Sequence, residues 1–341
     1  MTNYYDPKFL RAAIRKIQPA RQFFRHRYFS DTLTFPNKTV TFEYAKSPRA
    51  VLPFSDETNG SVNVSRSGYQ AMTFTAPLLS GHRVITPATI NDKLFGEAEY
   101  NSGLAPEDRA RELAAMDLIE LQDSLYRQEE YMCARLKQDG KITIDTPSVK
   151  AEIDYGFQNI VNTTSANKWT SSFDILGALL KHARTLRKNG INPDTLIVGH
   201  EVAEAINKNE GVLKLRHDEY VTVPDPASLE DGITYICQLR APGLYLHVLE
   251  YDEYYTSQQG DVVPLIDPKT AILQSSREQN MMLYGAVTYL DKNGEYVSEM
   301  GEYVPYVVSE YDPPVRKLIV SSRPLPMPRD IESWITLKDL V

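Results

Sequence analysis

The stretch Gly199-His200-Glu201-Val202-Ala203-Glu204 follows directly on the apolar run Thr195 to Val198. One substitution away it would be the zinc-protease signature, in which two histidines one helical turn apart hold a metal and a glutamate acts as base. Here Glu204 stands where the second histidine would be. His200 and Glu204, four residues apart, could still face one metal from a helix that starts at Gly199. A zinc site would need at least one more protein ligand and an open position. The nearest candidates, His217, Asp218 and Glu219, are of generic type and spacing. The competing reading is a strand-to-helix turn whose acids, Glu201 and Glu204, sit near the positive end of the helix dipole.

The remaining chemistry-bearing residues are scattered. The acidic pairs Glu129-Glu130 and Asp252-Glu253 have the composition for acid–base work, but solvated carboxylates are the commoner use of such pairs. The histidines at 26, 82, 182, 200, 217 and 247 fall at no shared ligand spacing, and no phosphate-binding glycine loop, Gly-x-Ser-x-Gly elbow or paired Cys-x-x-Cys is present. Nothing assembles a nucleophile, a base and an orienting group. The expectation is a protein with no catalytic residues, no cofactor and no metal. Cys133 and Cys237 read as buried thiols of a reducing compartment.

Composition sets the frame for these elements. The chain has 341 residues, 42% of them hydrophobic, which supports a sizeable core and two or three domains. Its 21 tyrosines combine buried area with a polar tip, which suits extensive interfaces. Formal charge is −8, but residues 1 to 29 hold seven Lys and Arg against the single acid Asp6, a net +6 that leaves −14 for the rest. The whole is therefore no basic nucleic-acid binder, although it carries a basic arm. No apolar run approaches the ~20 residues of a membrane span and no signal-peptide pattern opens the chain, so it reads as soluble, intracellular when made, and without a membrane partner.

Along the chain, the arm ends in the aromatic cluster Phe23, Phe24, Tyr28 and Phe29. Two alternating runs around Pro36-Asn37 predict a hairpin. Residues 46 to 92 are extended, polar and turn-rich; so long a stretch fits a projecting hairpin better than a structureless loop. Pro106 to Asp139 then predicts one long helix, with Pro106 at its first position, Glu107 and Asp108 in its first turn and Asp139-Gly140 as its stop. Leu118, Leu121, Leu125, Met132 and Leu136 share a face, and at 1.5 Å per residue it spans roughly 50 Å. With no second helix of that length to pair with, it is expected to lie across a sheet as a single spine. Beyond it come a helix ending at Lys188, the strand–turn–helix at 193–206, a series of strands, and a Pro-rich end. The class is α+β, with early and late strands sharing sheets around a middle domain.

This layout, with "FFRHRYF" at 23–29, "TVTFEYA", "SGHRVITPATI" at 80–90, "EDRARELAAMDLIELQDSL", "NPDTLIVGHEVAEAI" and "RPLPMPRDIESWITL", resembles the major capsid protein E family of lambda-like tailed phages. The resemblance implies the Hong Kong-97-type capsid fold: an N-terminal arm at 1–29, the start of a peripheral domain at 30–45, an extended loop at 46–92, the peripheral domain with its spine helix at 93–165, an axial domain at 166–300, and returning strands with a tail at 301–341. It also implies a non-enzymatic head protein that self-assembles into hexamers and pentamers of an icosahedral procapsid around double-stranded DNA. Implied partners are copies of itself, a separate scaffolding protein (no long cleavable segment precedes the arm), a portal, a decoration protein, and DNA contacted non-specifically. The implied location is the virion, and the host cytoplasm during assembly. An encapsulin-like compartment around a cargo enzyme, and a metallohydrolase built on His200 and Glu204, are the alternatives.

Overall fold

The computed structural model describes residues 22–45, 69–92, 106–146, 149–218, 232–257, 260–291 and 293–341. In chain order its helices are α1 (Phe23–Tyr28), α2 (Pro87–Asn91), α3 (Pro106–Asp139), α4 (Ile175–Lys188), α5 (His200–Lys208) and α6 (Glu210–Asp218). The strands are β1 (Asp31–Phe35), β2 (Thr39–Ala45), β3 (Tyr69–Thr75), β4 (Leu79–Ile85), β5 (Lys141–Asp145), β6 (Lys150–Asp154), β7 (Ile160–Asn162), β8 (Thr195–Val198), β9 (Ile233–Ala241) and β10 (Leu244–Tyr251). They continue with β11 (Tyr254–Thr256), β12 (Val262–Pro264), β13 (Ala271–Gln274), β14 (Met281–Gly285), β15 (Val287–Leu290), β16 (Tyr296–Glu299), β17 (Val304–Tyr311), β18 (Pro314–Ser322), β19 (Pro324–Met327) and β20 (Ile335–Lys338).

The spine, α3, runs for 34 residues and has two kinds of surroundings. Ala114, Leu118 and Leu125 in its first half pack on Ile85, Leu318 and Val320 of the sheet ordered β17-β18-β4. Met132, Cys133, Ala134 and Leu136 in its second half enter a core with Phe23, Phe24, Tyr28, Phe29 and Trp334. The helix stops where the sequence predicts. Gly140 takes φ 66°, and a Cβ there would lie 2.2 Å from that of Phe157, so only glycine fits the exit turn.

The hairpin expected around Pro36-Asn37 does not form. β1 pairs in parallel with β14, Leu33 opposite Leu283, while β2 pairs antiparallel with β3 in a separate ribbon. Local alternation identifies both runs as strands but carries no information on their partners. In the ribbon, Val40 faces Phe74 and Phe42 faces Met72, so apolar residues meet across the strands. Its paired ends, Ala45 and Tyr69, enclose residues 46–68, which lie outside the described residues.

A six-stranded sheet ordered β7-β20-β13-β8-β10-β9 forms the second unit. Its central strands β8 and β13 are buried along their whole length, which explains the uninterrupted apolar runs Leu196-Ile197-Val198 and Ala271-Ile272-Leu273. Helices α4, α5 and α6 cover one face through Leu179, Ala183, Leu186, Val202, Ile206 and Val212. The sheet also draws in β7 and β20, so its membership does not follow chain order. The prolines of the C-terminal stretch have a reason as well. β19 is an edge strand beside β14, and Pro324 and Pro326 alternate, so the missing N–H groups fall on its open side. There the Pro326 carbonyl accepts the Tyr155 hydroxyl at 2.7 Å.

Candidate functional site: a buried polar clamp on the spine helix

Glu129 and Glu130 are each 1% exposed, at the point where α1, the spine and the strands after residue 280 meet. The reading of this pair as solvated carboxylates is therefore corrected. Glu129 lies four residues after Leu125 and three before Met132, in phase with the apolar face. Adjacent Glu130 is turned towards α1.

Each carboxylate is fully engaged. Glu130 accepts the backbone N–H groups of Phe24 at 2.8 Å and Arg25 at 3.0 Å, and the Tyr251 hydroxyl at 2.9 Å. These are first-turn amides of α1, which have no partner within their own helix. Glu129 accepts the Tyr284 hydroxyl at 3.2 Å and lies 3.4 Å from that of Tyr303, while Arg25 Nε stands 3.8 Å away. Burial outweighs the attraction of Arg25 and pushes the Glu129 carboxyl up to about 7. Burial also works against the Arg25 charge, but Tyr284 and Glu129 more than compensate, so the guanidinium stays protonated. Arg25 further donates to the Phe29 carbonyl, closing α1 on itself.

A second knot sits two turns along the spine. Lys137 is fully buried, pairs with Glu278, and lies 4.1 Å over the Trp334 ring. Its carbonyl accepts both Trp334 Nε1 at 2.9 Å and Thr336 Oγ1 at 2.7 Å. Asn280 and Ser333 donate to the same Glu278 carboxylate at 2.9 and 2.8 Å. Burial lowers the Lys137 pKa, and Glu278 works against that shift. The two knots join residues separated by up to 259 positions. A general base needs a lone pair turned towards a substrate; these oxygens are turned towards the chain itself, as in a structural clamp.

Other predicted positions fall elsewhere. His200 is the first residue of α5 and Gly199 its cap; a Cβ at 199 would lie 2.6 Å from the Asp267 carbonyl, so close backbone approach dictates the glycine. Glu204 accepts from Lys208 at 2.7 Å, and Lys208 lowers its pKa. No group of three His, Cys, Asp or Glu residues placed to hold a metal occurs among the described residues. The side chains of His217 and Asp218, and Glu219 altogether, lie outside them. Asp252 and Glu253 occupy the turn between β10 and β11. Cys133 and Cys237 are both buried and are not joined in a disulfide. No helix among the described residues is long and apolar enough to cross a membrane.

The arm is also redrawn by the structure. Residues 22–29 belong to the body: Phe23, Phe24, Tyr28 and Phe29 are core, and the Gln22 amide donates to the Tyr126 carbonyl at 2.9 Å. Residues 1–21 lie outside the described residues. Alongside the spine, an open groove of about 1930 Å³ runs between Leu121, Ser124, Leu125 and Gln128, the β3–β4 segment, and the β5–β6 hairpin.

Comparison with known proteins agrees with this architecture. The family model described as phage major capsid protein E matches residues 7–338. Among solved structures, a candidate prophage capsid protein from E. coli CFT073 superposes with TM-score 0.68 at 17% identity, covering 96% of each chain. A phage-related protein from Bordetella bronchiseptica RB50 gives TM-score 0.55 at 10% identity, covering 100% of this chain and 99% of that one. No curated protein matches. The metallohydrolase reading falls with the family, which is one of structural proteins, not enzymes. With a match running almost end to end, the chain belongs to the phage major capsid protein E family, is a virion component, and has the Hong Kong-97-type capsid fold.

Proposed function

We propose that copies of this chain assemble into hexamers and pentamers of an icosahedral procapsid that encloses a double-stranded DNA genome. The family match over residues 7–338 carries this reading. The peripheral domain is built on the spine, and the axial domain, at 166–300, is directed towards the capsomer centre. Assembly takes place in the host cytoplasm, with a separate scaffolding protein, a portal and a decoration protein as partners.

Physical features support it. The β2–β3 ribbon is a two-stranded element whose base packs on its own core through Phe74, stacked on Tyr155, and such ribbons gain stability from any further packing. The groove beside the spine offers an apolar wall of matching kind, and Val51, Leu52 and Phe54 of the 46–68 segment are the residues proposed to fill it from an adjacent subunit. Contacts of this head-to-tail type close into rings by rotation. The basic residues of 1–21 supply a further link to acidic surfaces of neighbouring subunits or to DNA.

Electron micrographs of purified particles, with their contents analysed, test the proposal. Closed shells that package DNA are expected. Shells that instead enclose a single protein species would establish the encapsulin-like alternative, and a chain that remains monomeric would defeat both.

A further inference from the structure

Helix α4 reads ILGALLKHARTLRK: Lys181, Arg184, Arg187 and Lys188 are basic, and it contains no acid. Its apolar face, Ile175, Leu179, Ala183 and Leu186, is buried against the six-stranded sheet. Lys181, Arg184 and Lys188 follow at spacings of three and four on the opposite side, and all three are exposed. Arg187 is used internally, donating to Asn192 at 3.1 Å and to the Gly243 carbonyl at 2.7 Å. The other three form no ion pair among the described residues. The acid tied to this end of the helix, Glu332, is held by Asn189 at 3.2 Å.

Two structural explanations cover only part of this pattern. Cations in the last turn offset the negative end of the helix dipole, which accounts for Lys188 but not for Lys181 or Arg184, a turn or more earlier. A contact with another protein would call for apolar or aromatic anchors within the charged rim. The exposed positions around the stripe are instead Gly177, Thr185 and Asp174, whose carboxylate is engaged as the helix cap by accepting the Gly177 N–H at 2.9 Å. Such a face suits a partner that presents charge and little else.

We infer that Lys181, Arg184 and Lys188 form a contact surface for the phosphate backbone of duplex DNA, on the wall of the shell that faces the genome. The inference rests on the shell reading above. At 1.5 Å per residue the stripe spans about 10 Å, the rise of about three phosphates along one strand. A contact of this kind positions the backbone without reading sequence, as packaging of an arbitrary genome requires. It also places positive charge on the second unit of an acidic chain, independently of the basic residues before position 22.

Anisotropy of a labelled 20-base-pair duplex, titrated with the full chain below the concentration at which it self-associates, tests the assignment. The parent is compared with Lys181→Gln/Arg184→Gln/Lys188→Gln between 50 and 200 mM salt. Three neutralised phosphates contribute about −2.7 to the slope of log K on log salt, so over this fourfold range the parent should weaken about 40-fold more than the variant. The charge-conserving variant Lys181→Arg/Arg184→Lys/Lys188→Arg should keep the parent slope. Coincident slopes for parent and Gln variant, in a parent that does build shells, overturn the inference and leave the shell reading standing. The same holds if the Gln variant binds DNA normally but loses self-association in sedimentation, since the partner is then a second copy. A parent that builds no shells removes the shell reading itself.

Discussion

Glu129 shows how burial can reverse the usual behaviour of a carboxylate. Its pKa is raised from about 4.5 to about 7 by burial, so between those values the folded chain holds a proton that the unfolded chain has released. By linkage, its contribution to stability is full below about pH 4.5 and is lost as pH rises through 7, by about 3 kcal/mol at most. Glu129→Gln, which stays neutral, should therefore gain on the parent as pH rises from 4.5 to 7.5. Denaturant unfolding at a series of pH values reads this difference directly, and parallel curves would contradict it. Lys137 and Glu278 behave as a conventional buried pair. Lys137→Met should cost about 3–5 kcal/mol because it strands the carboxylate, whereas Lys137→Met with Glu278→Leu should recover much of that loss. A double-mutant cycle checks this through the sign of the coupling. The clamp was partly legible from phase alone, since Glu129 falls on the stripe of Leu118, Leu125 and Met132. Its partners were not, because Arg25, Tyr284 and Tyr303 approach from distant parts of the chain and leave no local spacing to read.

At the scale of elements, the long helix is legible because its start, face and stop are all local. Gly140 is the strictest of these signals. Gly140→Ala meets both a positive φ and the Phe157 side chain, so the substitution should destabilise by about 2 kcal/mol or more, read as a shift in unfolding midpoint with unchanged slope. A variant within a few tenths of a kcal/mol of the parent would show that the exit turn can be rebuilt. Most strands were legible as strands, and the turn at Gly199-His200 was read as the start of a helix. β19 was not, because Pro324 and Pro326 read as a Pro-rich end until the open edge that tolerates their missing N–H groups is known. Strand partners were not legible: β1 joins β14 some 250 residues away, and β20 closes a sheet begun at β7. Such pairing is decided by which apolar faces remain to be covered, a property of the assembled core.

For the whole molecule, the described chain carries two polar knots that tie its beginning, spine and end into one unit. The base of its ribbon packs on its own core through Phe74 and Tyr155, and the groove and the 46–68 segment are the parts proposed to engage other copies. Deleting part of 56–68 should therefore give a soluble subunit with parent-like unfolding that fails to form stable shells, as sedimentation and heating of particles would show. Shells of normal yield and heat resistance from that variant would remove the ribbon from the interface. The most direct test of the account is cryo-electron microscopy of particles assembled from the intact chain. The account predicts a closed icosahedral shell of hexamers and pentamers, with residues 46–68 of each subunit lying in the groove beside the neighbouring spine helix. A shell in which that groove takes nothing from a neighbour and residues 46–68 of each chain lie on their own subunit would contradict it.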